Sequence, residues 1–410
     1  MVFPLNRQDE SPWLVPSGYW PKLDEVTRGV DPPFGVISQR ALAANAFSML
    51  DRAAGTSIRV ASKSIRVRGV IDAVLALPGF SGILAYTLDE ALWLALDHED
   101  VVVGYPTADR SAIRTLARNP KFASRVTLMV DSVEQLDLVD SVLPPSEREP
   151  IRVCMELDAA WNSRMLGHLG SYRSPIFTPA DARRFAELVA SRPGFELVGM
   201  MAYEGQIAGT VDRPEGKPVM GAIVRWVQEQ SASELAVRRA EAVAAVREVA
   251  RLEFVNGGGT GSLESTSSED AVTEIAAGSG LFGPHLFDHY SRFTPAPAAA
   301  FALSVVRKPT PVMATLLGGG WIASGPPGVD RVPKPVWPEG LGLVGREMAG
   351  EVQTPVTGDN AAALRVGDRV WFRHTKAGEL SEHLNEFVLV DGDRVVDRLP
   401  TYRGEGKAFL

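Results

Sequence analysis

Between about residues 57 and 285, short apolar runs rich in β-branched side chains alternate with longer stretches whose apolar positions recur at helical spacing. That alternation is the signature of repeated βα units around a parallel sheet. The runs are IRVAS (58–62), GILAYT (82–87), VVVGYP (101–106), RVTLMVD (125–131), IRVCMELD (151–158), ELVGMMAYEG (196–205), LEFVNGGG (252–259) and TEIAAGSG (273–280). Eight units predict closure into a (β/α)8 TIM-type barrel rather than an open sheet. Helices are predicted between them at 88–99, 132–143, 179–192 and 233–252. Ser132 with Gln135, and Thr87 with Glu90, have the spacing of capping boxes, in which a hydroxyl and a carboxylate or amide satisfy free backbone N–H groups.

After residue 293 the pattern changes. FTPAPAAAF is a Pro/Ala-rich joint, and FALSVV (301–306), VMATLLGGG (312–320), REMAGEV (346–352), DRVWFRH (368–374) and NEFVLV (385–390) read as short strands separated by Gly, Pro and Asp. The α/β barrel is thus expected near 31–290 and a C-terminal all-β domain near 296–410. Residues 1–30, rich in Pro and Trp, could join either.

Composition narrows the function. With 45% hydrophobic and 22% charged residues the chain is an ordinary globular one. Its 42 basic and 50 acidic residues give a net charge of −8, and no basic cluster marks a predicted helix, which argues against a nucleic-acid partner. Anionic ligands must therefore find local positive sites. The lone Cys154 lies inside an apolar run, which excludes an intramolecular disulfide and predicts a buried structural thiol in a reducing compartment. No leader pattern opens the chain and no run of about 18 apolar residues occurs, so a cytoplasmic protein without a membrane partner is expected.

Catalytic groups of a βα barrel sit at the C-terminal ends of its strands. Lys63 follows IRVAS directly, where partial burial favours a neutral amine able to form an imine with a carbonyl. Position alone does not distinguish it from a lysine whose stem lies along the surface. Two glycine-rich segments, NGGGTGS (256–262) and AAGSG (276–280), follow the last two strands, where barrels commonly bind phosphate through backbone N–H groups. Gly258, Gly259, Thr260, Gly278 and Ser279 are candidates for that cradle, and the hydroxyl of Thr260 or Ser262 could add a donor. GSGLFG (278–283) formally matches the dinucleotide fingerprint, but Pro284 follows at once and no second βαβ half with a strand-end acid is evident.

RVASKS (59–64), MAYEGQ (201–206), VNGGGTGS (255–262) and AAGSG (276–280), in this order at these strand ends, resemble the D-threonine aldolase and D-serine dehydratase branch of the alanine-racemase-like, fold-type III pyridoxal-phosphate enzymes. The resemblance covers most of residues 30–410. It implies that Lys63 carries pyridoxal 5'-phosphate as a Schiff base, that Tyr203 and Gln206 line the cofactor ring, and that the glycine loops form the phosphate cup. Arg173, in YRSP, resembles an arginine that contacts the ring, and Arg59 the arginine that opens the lysine motif. Read from residue type alone, Tyr203 could equally be a core tyrosine and Arg173 the partner of a surface carboxylate. The family's β domain supplies a metal pair, His-x-Cys or His-x-Asp. Here His374 fits the histidine, but Lys376 occupies the second position, and a protonated ammonium cannot coordinate a metal. No metal is expected unless His374 recruits Glu379 or Glu382, and Lys376 is expected to act as a fixed positive charge.

The resemblance implies a homodimer acting on a β-hydroxy-α-amino acid. Retro-aldol cleavage needs a base at the β-hydroxyl, for which His374 is the candidate, with Lys376 stabilising the alkoxide. Dehydration needs help in expelling hydroxide, so loss of the metal pair disfavours it. Racemisation needs a second acid/base on the opposite ring face, and the β domain has only Tyr402. Outside these enzymes, a non-catalytic pyridoxal-phosphate carrier normally lacks a β domain, and a phosphosugar barrel would leave Lys63 without a carbonyl. Substrate selectivity is expected in loops 204–220 and 318–333, and Trp321 and Trp337 read either as lining that pocket or as β-domain packing.

Overall fold

The structure is a computed structural model that describes residues 2–325, 328–376 and 378–410. Residues 326–327 of the loop 318–333, and residue 377 of the segment after His374, lie outside the described residues. By its contacts the chain divides into two units, one of residues 49–63, 75–278 and 409–410, the other of residues 1–48, 64–74 and 279–408.

The first unit is a closed parallel barrel of Ser57–Ala61, Phe80–Ala85, Val101–Val103, Val126–Val130, Ile151–Glu156, Phe195–Ala202, Phe254–Gly257 and Glu274–Ala277. Pairing of Glu274 with Ser57 and of Ala277 with Val60 closes it. These are the eight expected strands, each trimmed at its glycine-rich or polar end. The run at 252–259, for instance, shortens to Phe254–Gly257 because Gly258 turns the chain at a φ of 73°. Val102, Met129, Cys154, Val198, Met201 and Phe254 form one buried cluster, and burial pushes the Cys154 thiol well above its usual range.

Arg59 belongs to the barrel wall. Its guanidinium bonds Glu274 at 2.7 and 2.8 Å and Asp100 at 2.8 and 2.9 Å, over the ring of Phe254. All three partners sit at the N-terminal ends of their strands, away from the end where the chain leaves for Lys63. Gly82 is required beside it, since a Cβ there would collide with the guanidinium.

The helices depart from expectation in instructive ways. The helix expected at 233–252 runs Pro218–Arg247, because Ser233, which resembles a cap in sequence, sits mid-helix with its hydroxyl donating to the Glu229 carbonyl at 2.9 Å. No capping box forms at Ser132: Gln135 instead exchanges two 2.7 Å bonds with Asp131. Thr87 does accept from the Glu90 N–H, but the Glu90 carboxylate reaches one residue past the cap, to the Tyr86 N–H. A full capping box joins Thr178 and Asp181.

The second unit is built on a nine-stranded sheet. Phe34–Ser38 lies inside it, antiparallel to Ala299–Thr310 and parallel to Glu386–Asp391. The sheet thus begins within the span expected for the barrel, and residues 34–38 are not barrel. Helix Pro16–Val26 joins the same unit, burying Trp20 and Leu23 with Phe34, Val36 and Trp371. Trp337 packs against that cluster, and Trp321 stacks on His383 and lies tilted against Phe301, so both tryptophans serve packing here. REMAGEV is a turn, with Met348 at a φ of 54°, and the strand follows at Gln353–Gly358. No helix among the described residues is long and apolar enough to cross a membrane.

Breaking a buried ion pair costs roughly 3–5 kcal/mol. Arg59→Met should therefore lower barrel stability by about that much, read as a drop in the urea midpoint. A loss below about 1 kcal/mol would show that Arg59 is dispensable to the wall.

Candidate active site

Lys63 lies in the short 3-10 turn Ser62–Ser64 that follows the first barrel strand, and the Ser62 hydroxyl, donating to the Leu84 carbonyl at 3.1 Å, ties that turn to the second. Its ammonium donates to the hydroxyl oxygen of Tyr105 at 2.6 Å. Tyr105 stands two residues past the strand Val101–Val103. The Arg173 guanidinium lies 5.3 Å from the centre of the Tyr105 ring and 4.7 Å from that of Tyr203, and donates to the Glu156 carboxylate at 3.1 Å. Glu156 ends one barrel strand and Tyr203 immediately follows the next. Lys63, Tyr105, Glu156 and Tyr203 thus come from four strand ends on the face where barrels place their chemistry.

Burial and charge set the titration of this group. Burial pushes the Tyr105 phenol up, but Lys63 and then Arg173 outweigh it and hold it below its ordinary value. Tyr203 goes the other way, raised by burial that Arg173 only partly offsets. The Glu156 carboxyl is likewise raised by burial in spite of Arg173.

The two glycine segments approach the same cluster. A Cβ on Gly259 would lie 3.0 Å from Ala208 and 3.5 Å from the Tyr203 ring, and one on Gly278 would collide with the Ala61 carbonyl, just before the lysine turn. Behind the first segment is Glu204. Its carboxylate accepts from the Gly258 N–H at 2.9 Å, from the Thr266 hydroxyl at 2.6 Å and from Arg239 at 2.9 Å. Arg239 also bonds Glu269 at 2.8 Å, and Arg52 donates to the Thr260 carbonyl at 2.7 Å. Ser279 opens a helical turn, Ser279–Phe282.

The structure therefore brings Lys63, Arg173, Tyr203, Gly259 and Gly278 to one end of the barrel. Gln206 lies beside them, its amide nitrogen donating to the Ala159 carbonyl at 2.7 Å and the Ser231 hydroxyl at 2.9 Å, its buried oxygen without a partner among the described residues. Arg59 is not part of the group. Tyr105 and Glu204 escaped sequence reasoning, although Tyr105 stands at the end of a strand just as Lys63 does.

His374 and Lys376 lie in the other unit. His374 follows the strand Arg369–Arg373, edge-on to Phe282, and neither ring nitrogen makes a regular hydrogen bond among the described residues. Burial, then Arg373 and His285, push it down to about 3, so the ring is neutral at ordinary pH. His285 is also buried neutral, pushed to about 4, with its Nε2 3.0 Å from the Val332 carbonyl and 3.1 Å from the Thr375 hydroxyl. Glu382 bonds Arg66 at 2.5 Å and Glu379 accepts from Ser324 at 3.2 Å. Among the described residues no cluster of three or more His, Cys, Asp or Glu could hold a metal ion. One histidine with a lysine two residues on does not make the donor set of a divalent metal.

Residues 37–285 match the alanine racemase N-terminal domain family. The chain is 26% identical over 268 residues to 3-hydroxy-D-aspartate aldolase of Paracoccus denitrificans (strain Pd 1222), a match covering 64% of this chain and 62% of that protein. It thus spans under two thirds of that relative's length. The crystal structure of D-threonine aldolase from Filomicrobium marinum superposes with a TM-score of 0.72 at 20% identity, covering 92% of this chain and 96% of that one. That of D-threo-3-hydroxyaspartate dehydratase from Delftia sp. HT23 gives 0.70 at 18%, covering 91% and 97%. These likenesses show the fold.

Burial raises the Glu269 carboxyl to about 7, against the pull of Arg239. Its folded value lies above its unfolded one, near 4.3, so between the two the folded state holds the extra proton. Stability contributed there is present below the unfolded value and is lost as pH rises through about 7. Urea midpoints should fall over that window, and Glu269→Gln should flatten the slope. An unchanged slope would contradict the assignment.

Proposed function

This chain belongs to the alanine racemase N-terminal domain family, and on that premise we propose that it is a pyridoxal-phosphate-dependent lyase cleaving a β-hydroxy-α-amino acid of D configuration to an aldehyde and a smaller amino acid. The observation that carries this is the Lys63 amine, held at a strand end 2.6 Å from a phenol, beside a guanidinium and two close-packed glycine segments. The site's residues fit the cofactor. Glycines stand where a Cβ would collide with the Ala61 carbonyl or press on Ala208, and the buried Gln206 oxygen lacks a partner among the described residues. Lys63 would hold the cofactor, Arg173, Tyr203 and Gln206 would border its ring, and Gly259, Thr260, Gly278 and Ser279 would receive its phosphate, whereas Gly258, whose N–H is already given to Glu204, would shape the loop behind them. When bound, pyridoxal phosphate supplies a carbonyl that takes up amines and an electron sink for the bond broken at the α-carbon.

This chain's own groups do the rest. Arg173 and Lys63 place positive charge where an anionic ligand needs it, in a protein whose net charge is −8. Rings of Tyr105 and Tyr203 flanking Arg173 exclude water, which strengthens those charges. For His374 and Lys376 the proposal rests on the resemblance: His374, buried and neutral, as the base at the β-hydroxyl, and Lys376 as the positive charge that steadies the alkoxide. Among the described residues no group of three or more His, Cys, Asp or Glu gathers at His374, and the proposal assigns no step to a metal. A homodimer in the cytoplasm is part of the same proposal.

Dehydration to a 2-oxo acid is the second reading, since one structural relative is a dehydratase. Racemisation ranks third, because Tyr402 is 1% exposed and its backbone N–H is tied to the Arg66 carbonyl. The test is the absorption spectrum of the purified protein beside Lys63→Ala, before and after adding D-threonine or 3-hydroxy-D-aspartate. A yellow band lost in the variant, with acetaldehyde or glyoxylate released, is expected. Release of 2-oxobutanoate or oxaloacetate would move the assignment to the dehydratase. A colourless protein that pyridoxal phosphate cannot reconstitute would sink it.

A further inference from the structure

Tyr105 has served so far only through its ring, beside Arg173, yet its hydroxyl touches the nitrogen on which the proposed chemistry depends. We propose that Tyr105 is the acid–base partner of Lys63: its phenol oxygen takes a proton from Nζ when that nitrogen must bond to carbon, and returns it when the nitrogen is released. This rests on the reading of Lys63 as the cofactor-holding lysine. In the forward step the N–H bond breaks with its electron pair left on nitrogen, and the proton arrives on the phenolate oxygen. The pair keeps its total charge, so the transfer builds up no net charge in the buried site.

The contact is direct, at 2.6 Å, within the reach a general acid or base requires. A tyrosine present only for packing would turn its hydroxyl to backbone or water, whereas this one faces an amine. The groups around it favour the anion. Lys63 meets the oxygen, Arg173 lies over the ring, and that same arginine engages Glu156. Burial alone would raise the phenol, but the two cations more than reverse it. The other tyrosine of the cluster is unsuited, because burial raises Tyr203 and its hydroxyl points toward Gly209, where a Cβ would lie 3.3 Å away. Phenylalanine at 105 would keep the ring beneath Arg173 and remove the hydroxyl that meets Lys63 and Arg173.

The test begins with the cofactor-free protein, titrated from about pH 6 to 11 by the ultraviolet difference absorbance of tyrosinate. One tyrosine should ionise ahead of the others, the signal should vanish in Tyr105→Phe, and in Lys63→Met it should move to higher pH. Pyridoxal phosphate is then added and the Lys63 adduct trapped with borohydride and located by peptide mass. In Tyr105→Phe the trapping rate should fall about a hundredfold, the scale of general acid–base catalysis, and lose the pH limb that follows the tyrosinate signal. A tyrosinate titration unmoved by Lys63→Met, or a Tyr105→Phe protein that captures the cofactor at the wild-type rate, would overturn the proposal. If the wild-type protein captures no pyridoxal phosphate while the tyrosinate signal depends on Lys63 as stated, the cofactor reading fails and the proton-sharing pair stands.

Discussion

The Glu204 carboxylate, buried at 2% exposure against Arg239 at 0%, is the constraint from which the arrangement of the barrel mouth follows. An ion pair so far from water survives only if its remaining lone pairs and protons are satisfied. Here the Gly258 N–H and the Thr266 and Ser262 hydroxyls do that for the carboxylate, while Glu269 and the Ala202 carbonyl engage the two terminal nitrogens of the guanidinium and its buried Nε makes no bond among the described residues. Those bonds reach into the glycine segment that follows the strand Phe254–Gly257. The loop cannot drift without uncovering a charge, so its backbone stays against Tyr203, the residue next to Glu204 in the chain. Tyr203 in turn is one of the two rings that bracket Arg173. A polar group that touches no ligand therefore fixes the geometry of those that would.

In front of that brace the site alternates cations with aromatic rings, Lys63 beside Tyr105 and Arg173 between Tyr105 and Tyr203, with the Glu156 carboxylate bonded to the arginine. This makes a local positive region in an acidic chain, as the composition demanded of any anion-binding site. Cation–ring contacts of this kind strengthen as water is removed. The rings serve twice, as walls of the site and as partners that leave the arginine side chain only 22% exposed.

How much of this was legible depended on what each residue's neighbours do. Barrel strands were legible because they are buried on both faces, so IRVCME or VTLMV can be read without knowing its partners. Phe34–Ser38 has the same five-residue buried pattern and stands before a helix, so nothing local separates it from a barrel strand. Only its pairing with residues 299–302 and 387–390, hundreds of positions away, does so. Lys63 and the glycine loops carried their chemistry in residue type and strand-end position. Glu204 lay inside a motif already singled out, but its function comes from Arg239 and Gly258, which no spacing rule connects. Arg59 shows the converse: its place in the lysine motif suggested the cofactor, while alternation along the strand and two distant acids send it to the wall.

Tyr105 illustrates why strand-end position matters as much as residue type. Lys63 and Tyr105 follow strands separated by one intervening strand, so their backbones are about 10 Å apart at the spacing of a sheet. A serine, aspartate or histidine at either position would fall short of the other. Lysine and tyrosine are among the few polar side chains long enough to meet across that gap. The Tyr86 ring, which follows the intervening strand, packs against Phe409. The lysine–phenol contact is thus a product of barrel geometry acting on two strand ends, and reading it from sequence requires knowing that the first and third strands stand two sheet spacings apart.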